Sequence, residues 1–187
     1  RLVDDLLDLS RMTRNELYLH KVNMDVCDVV EDCWHSIEPD AGGRGIRFVS
    51  SLPDCPVSIH ADSTRIRQIV LNLLTNAVKF TDPGGEIHLI VEQHPSEVVI
   101  RVSDTGRGIS ADRLSTIFDM FQTGDGEGDG IGVGLAVVKG LTEVHGGSVT
   151  PESTVGAGST FHVTLPRGSA HLPQDRIGAA RTAASTA

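Results

Sequence analysis

Asn72 and Asn76 stand four residues apart in a run from Asp62 to Phe80 whose apolar residues recur at helical spacing. At ~100° per residue, Arg65, Gln68, Asn72, Asn76 and Lys79 fall within an arc of about 80°, beside an apolar arc of Ile66, Ile69, Val70, Leu73, Ala77 and Phe80. A solvated face accounts for many such ridges. Asparagine away from a cap is a poor helix former, so two of them on one face call for a further reason. An amide oxygen is a hard donor for Mg²⁺, an ion that keeps waters and shares phosphate oxygens. Lys79, one turn on, could reach a phosphate.

Three glycine-rich pieces follow. DTGRGI comes directly after an apolar alternation, with Asp104, Gly106, Gly108 and Ile109 in a tight turn. Gly106, Gly108 and Ala111 also spell a dinucleotide-type GxGxxA. That reading would need a parallel βαβ unit and would set Asp104 near a pyrophosphate. The preceding strand reads instead as the second arm of a hairpin, and a carboxylate is better suited to an exocyclic amine, as on adenine. GDGEGDGIGVGL imitates a calcium loop through Asp125, Glu127, Asp129 and Gly130, but its twelfth position is Ala136. No GxxxxGK[ST] exists. Glycines running into VGLAVVK do offer free N–H groups at a helix start, a site for phosphate. GAGSTF, before a final strand, is by itself a turn.

The elements that position these pieces can be traced along the chain. RLVDDLLDLSRM is amphipathic: Leu2, Leu6 and Leu9, with Val3 and Leu7, form an apolar seam opposite Asp4, Asp5 and Asp8. The seam should pack on its own domain or pair with another helix. KVNMDV reads as a strand, and Asp28 to Glu38 as a helix ended by Pro39 and Gly42-Gly43. IRFVSSL and VSIHA are strands; Asp62 caps the long helix. EIHLIVEQ and EVVIRVSD form a hairpin around His94-Pro95-Ser96, and ADRLSTIF is a short helix. Gln122 to Gly134 holds six glycines and three acids, the composition of a mobile loop. VGLAVVKGLTEVHGG is helical, and two strands finish at Pro166. The tail from Arg167 lacks periodicity and reads as disordered or a linker. Helices with a partly antiparallel sheet imply an α+β two-layer sandwich, helices on one face.

Sixteen Lys and Arg against twenty-five Asp and Glu give a net charge of −9 with no basic stripe, which excludes nucleic acid as a natural partner. Cys27, Cys33 and Cys55 lack metal-ligand spacing and are an odd number, the pattern of reduced thiols in a cytoplasmic protein. No apolar run approaches the ~20 residues of a membrane span. The chain opens at Arg1 rather than Met, as a piece of a longer protein would, and any membrane anchor would lie outside it.

In order and spacing, NLLTNAVKFT, DTGRGI, IFDMF, GVGL and GAGSTF resemble the N, first glycine, F, second glycine and third glycine boxes of the catalytic domain of sensor histidine kinases. That domain shares a superfamily with DNA gyrase, the MutL repair protein and ninety-kilodalton heat-shock chaperones. The resemblance implies a Bergerat-type fold with ATP between helices and a mixed sheet under a flexible lid. By position it assigns Asn76 to Mg²⁺, Asn72 and Lys79 to the phosphates, Phe80 to packing on adenine and Asp104 to its amino group. Gly106, Gly108 and Ile109 would line the base. Gly132, Val133, Gly134 and Leu135 would form the lid hinge and phosphate end. Phe118 and Phe121 would anchor the lid, and Gly156, Gly158 and Thr160 would form the far wall. Asn72 occupies the place of the glutamate base of hydrolytic members, so hydrolysis should be slow. The acidic lid implies weak affinity and an apo lid without fixed order. None of the eight histidines has the acceptor's context of a following acid and proline.

The resemblance implies the end of a dimerisation and phosphoacceptor hairpin over residues 1–16, a catalytic domain over 17–166 and a tail over 167–187. Its partners would be its own dimerisation domain, within a homodimeric full-length protein, and a response regulator or receiver domain. The other reading is a module that binds ATP without transferring phosphate.

Overall fold

A computed structural model describes residues 2–14, 16–121 and 132–167. Its elements run α1 (Leu2–Thr13), β1 (Val22–Asp25), α2 (Val26–Gly43), β2 (Arg47–Ser51), β3 (Ser58–Ala61), α3 (Ser63–Phe80), β4 (Glu86–Gln93), β5 (Glu97–Asp104), α4 (Ala111–Leu114), α5 (Gly134–Val144), β6 (Ser148–Thr154) and β7 (Gly158–Pro166). Five strands form one sheet in the order β2-β4-β5-β7-β6; β2 joins β4 in parallel and every other pairing is antiparallel. β1 and β3 make a separate antiparallel pair. Burial alternates along β4, β5 and β7, so one sheet face is dry, under α2, α3 and α5. This is the expected two-layer sandwich with a mixed sheet.

α3 carries the site, and its own sequence fixes it in place. Asp62 Oδ1 accepts from the Thr64 and Arg65 N–H groups at 3.0 and 3.2 Å, satisfying two donors that a helix start leaves orphaned. Ile66, Ile69, Val70, Leu73, Leu74 and Ala77 are buried against the core. Asp62 binds beyond its own helix: its Oδ2 accepts from the His20 N–H at 2.9 Å, and its N–H donates to His145 Nε2 at 3.2 Å. The β3–α3 corner therefore joins three parts of the chain.

Two expectations need correction. α2 does not stop at Pro39; it runs on to Gly43, enclosing the proline. Proline removes one intrahelical bond, but Ala41 beyond it is fully buried, and tertiary packing carries the helix to the glycine pair. ADRLSTIF is helical only over Ala111–Leu114 and continues as turns in which Ile117 is buried. The loop expected over 122–134 lies outside the described residues up to 131, and the tail expectation lies outside them from 168.

The apolar seam of α1 divides: Leu9 packs against the core, while Val3, Leu6 and Leu7 are exposed, and Asp5 and Asp8 are buried. Arg65 and Gln68, one turn apart on α3, receive the acids: Gln68 Nε2 donates to Asp5 Oδ1 at 2.9 Å, and the Arg65 guanidinium forks onto both oxygens of Asp8. Further along, Met12 packs where Gly140 of α5 has no side chain; a Cβ there would collide with its sulfur. Charge complementarity, which periodicity does not register, joins the packing of Leu9 and Met12 in seating this face of α1. Among the described residues no helix is long and apolar enough to cross a membrane.

Candidate nucleotide cleft

An open cleft lies between α3, the β5–α4 loop, the start of α5 and β7. Asn76, Ala77 and Phe80 line it from α3, Asp104, Arg107, Gly108 and Ile109 from the β5 end and its loop, Arg113, Thr116 and Ile117 from α4 and beyond, Gly132, Gly134 and Leu135 from the start of α5, and Ser159 and Phe161 from β7.

Asp104 is the one carboxylate among the described lining residues. Burial pushes its pKa up, against the lowering effect of the Gly106 and Ser159 backbone N–H groups that bond to it. The Gly106 bond, 2.9 Å to Oδ1, fixes the carboxylate in orientation. A half-buried acceptor held this way can take a hydrogen bond from an amine deep in the cleft. At the other end, α5 begins at Gly134 with no side-chain cap bond. Its first-turn N–H groups therefore present a partial positive charge at a cleft wall formed by Gly134 and Leu135. Asn76, half-buried, brings its amide to the same space.

The remaining expected residues divide into lining groups and supports. Asn72 is buried outside the cleft lining and donates from Nδ2 to the Gly134 carbonyl at 3.4 Å, tying α3 to the start of α5. Lys79 also stays off the lining; its Nζ lies 4.7 Å from the Phe80 ring centroid. Val133 is core. Gly106 and Gly158 make room for protein backbone rather than ligand: a Cβ on Gly106 would strike the Phe80 carbonyl, and one on Gly158 would strike that of Asp104. Gly108 lines the cleft, with φ +70°, and a Cβ on it would strike the Thr154 carbonyl. Gly156 is exposed in a turn at φ +78°.

Thr160 is displaced from the expected wall. It points to the helix-free face, where its hydroxyl meets Ser103 at 2.9 Å, and the period of two gives the cleft Ser159 and Phe161 instead. Phe118 packs edge-on to Phe161, ring centroids 6.5 Å apart. Phe121 is exposed, with φ 66°, and its N–H donates to the Gly132 carbonyl at 3.0 Å. Its contribution at the lid boundary is a backbone bond, not a buried ring. Arg107 was not foreseen at all; only its place between Gly106 and Gly108 could have drawn attention to it.

A family described as histidine kinase-, DNA gyrase B- and HSP90-like ATPase matches residues 61–169, the stretch that supplies every wall of this cleft. The chain belongs to that family. An adaptive-response sensory kinase, SasA, from a Synechococcus species is 36% identical over 172 residues, covering 88% of this chain and 45% of the relative. The solved full-length kinase ShkA, in complex with AMPPNP, superposes with a TM-score of 0.79 at 32% identity over 88% of this chain and 35% of that one. The kinase ThkA, solved with the response regulator TrrA, shares the fold with a TM-score of 0.72 at 22% identity, over 89% of this chain and 48% of that one. The chain thus spans less than half the length of these relatives. It is the ATP-binding catalytic domain of the histidine-kinase type.

Proposed function

We propose that the cleft binds Mg-ATP with the base at Asp104 and the phosphates at Asn76 and the start of α5, for transfer of the γ-phosphoryl to a histidine on a dimerisation hairpin. The observation that carries this reading is polarity along one cleft: a fixed, half-buried acceptor at one end, an uncapped helix start and an amide at the other. Among the described residues no group of three or more His, Cys, Asp or Glu could hold a metal. The amide oxygen of Asn76 would hold Mg²⁺, shared with ATP phosphate oxygens. When bound, Mg²⁺ neutralises charge on the transferring phosphoryl group.

The residues of this chain position the nucleotide rather than activate water. Asn72, at the site where a base would stand, is an amide engaged with the Gly134 carbonyl and takes up no proton at neutral pH. Transfer is thereby favoured over hydrolysis. Residues 1–16 would be the end of the phosphoacceptor hairpin, residues 17–166 the catalytic domain, and a response regulator the downstream partner of the dimeric, cytoplasmic kinase.

Joining a hairpin that bears an acceptor histidine to this chain should restore labelling from γ-labelled ATP, and Asn76→Ala should abolish it. Undiminished labelling of Asn76→Ala would remove Asn76 from the reaction. Nucleotide binding with no transfer to any supplied hairpin would favour the module that senses ATP without using it.

A further inference from the structure

An acceptor such as Asp104 takes a base by its edge, and an edge contact alone leaves a choice open. Adenine and cytosine both carry an exocyclic amine beside a ring nitrogen, so a carboxylate that accepts from the amine suits either. What separates them is the ring face, two fused rings against one. A group that reads the face has to stand next to Asp104, flat and held in place.

Arg107 has that position and that shape. It directly follows Gly106, whose N–H fixes the Asp104 carboxylate at 2.9 Å. Its turn is clamped from both sides: the Arg107 N–H donates to the Phe80 carbonyl at 3.2 Å, and its carbonyl accepts from the Gly156 N–H at 2.8 Å. The guanidinium carbon lies 4.5 Å from the Phe80 ring centroid, in cation–π range. Phe80 is half-buried, Arg107 is exposed and both line the cleft, so ring and guanidinium together border it beside Asp104. A guanidinium plane stacks on a nucleobase as it does on a phenyl ring.

We infer that Arg107, seated on Phe80, reads the face of the base and so selects adenine over cytosine among bases that carry an amine. The inference rests on the proposed ATP reading and adds to it a specificity residue at the base end of the cleft.

The test is a calorimetric titration of the intact chain with ADP and, by competition against it, CDP, both in Mg²⁺, for wild type, Arg107→Ala and Arg107→Lys. The two nucleotides share ribose and diphosphate, so a difference between them belongs to the base. Wild type should prefer ADP. Arg107→Ala should weaken ADP about fivefold, the scale of one partly exposed cation–π contact, and CDP less, so that the preference narrows. Arg107→Lys keeps the charge without the plane and should narrow it as well. Equal weakening of ADP and CDP by Arg107→Ala would put the guanidinium on the ribose or the phosphates and overturn the inference, as would unchanged ADP affinity. If wild type binds no ADP, the ATP reading itself falls, and the inference with it. Arg107 is exposed and its turn is held by backbone bonds, so the variants should melt with wild type.

Discussion

Replacing Asp62 by alanine tests whether the β3–α3 corner holds the cleft-bearing helix. The carboxylate accepts three bonds: Thr64 and Arg65 N–H at Oδ1 and His20 N–H at Oδ2. Loss of an N-cap costs ~1 kcal/mol, up to about 2. A bond from a backbone N–H to a charged acceptor adds about 1.5–3 kcal/mol. Their sum, roughly 2.5–5 kcal/mol, corresponds to a fall in Tm of about 5–20 °C for a chain of this size. Asp62→Asn separates the contributions, because asparagine caps as well as aspartate while its amide nitrogen cannot accept from His20; it should cost about half as much. Urea unfolding followed through the single tryptophan, Trp34, which packs edge-on to Phe48, gives both values. A cost below about 0.5 kcal/mol for Asp62→Ala, or identical costs for the two variants, would refute the argument.

His145 Nδ1 lies 2.8 Å from the Leu141 carbonyl while Nε2 accepts from the Asp62 N–H, so the folded state holds the neutral ring protonated at Nδ1. Burial lowers its pKa first of all; Lys21 and Arg65 lower it further, against the raising effects of the Leu141 bond and Asp62. The unfolded state therefore takes up a proton first, and stability that is complete above pH ~6.5 should fall as the pH drops below it; urea midpoints between pH 8 and 5.5 would show this, and His145→Gln should flatten the profile. Asp104 accepts from an amine more strongly when ionised, so adenosine binding should weaken on acidification at a higher pH than an ordinary aspartate would give, and Asp104→Asn should weaken it about tenfold. Burial drives the Cys27 and Cys33 thiols up to about 12 and about 11, so a maleimide at pH 7 should label only exposed Cys55 in the native protein and all three after denaturation. Gly158→Ala, placing a methyl against the Asp104 carbonyl at φ +99°, should lower Tm by several degrees.

What the sequence made legible was whatever is local or periodic. Asp62 as cap, the hairpin at His94-Pro95-Ser96 and the apolar face of α3 each follow from neighbours in the chain, and the structure has all three. The glycine boxes located the cleft because they are turns at strand ends. What stayed hidden depends on distant residues. Thr160 was one residue from the lining because register with β5, rather than β7's own alternation, decides which face looks inward. Gly106 was read as lining the base and Gly158 as part of the far wall, whereas the crowding they relieve comes from residues 26 and 54 positions away. Pro39 misled for the same reason: a local rule was outweighed by burial of Ala41.

The contact between α1 and the domain differs in kind from the rest of the molecule. A greasy interface tolerates sliding, since one methyl packs much like the next. Asp5 against Gln68, and Asp8 against Arg65 and Gln68, do not, because hydrogen bonds are directional. Turning α1 by a single residue, ~100°, would carry both acids into solvent and face the guanidinium with a methyl group. The contact is thus a keyed joint: a twist of α1 about its own axis would break these bonds together rather than let the helix slide.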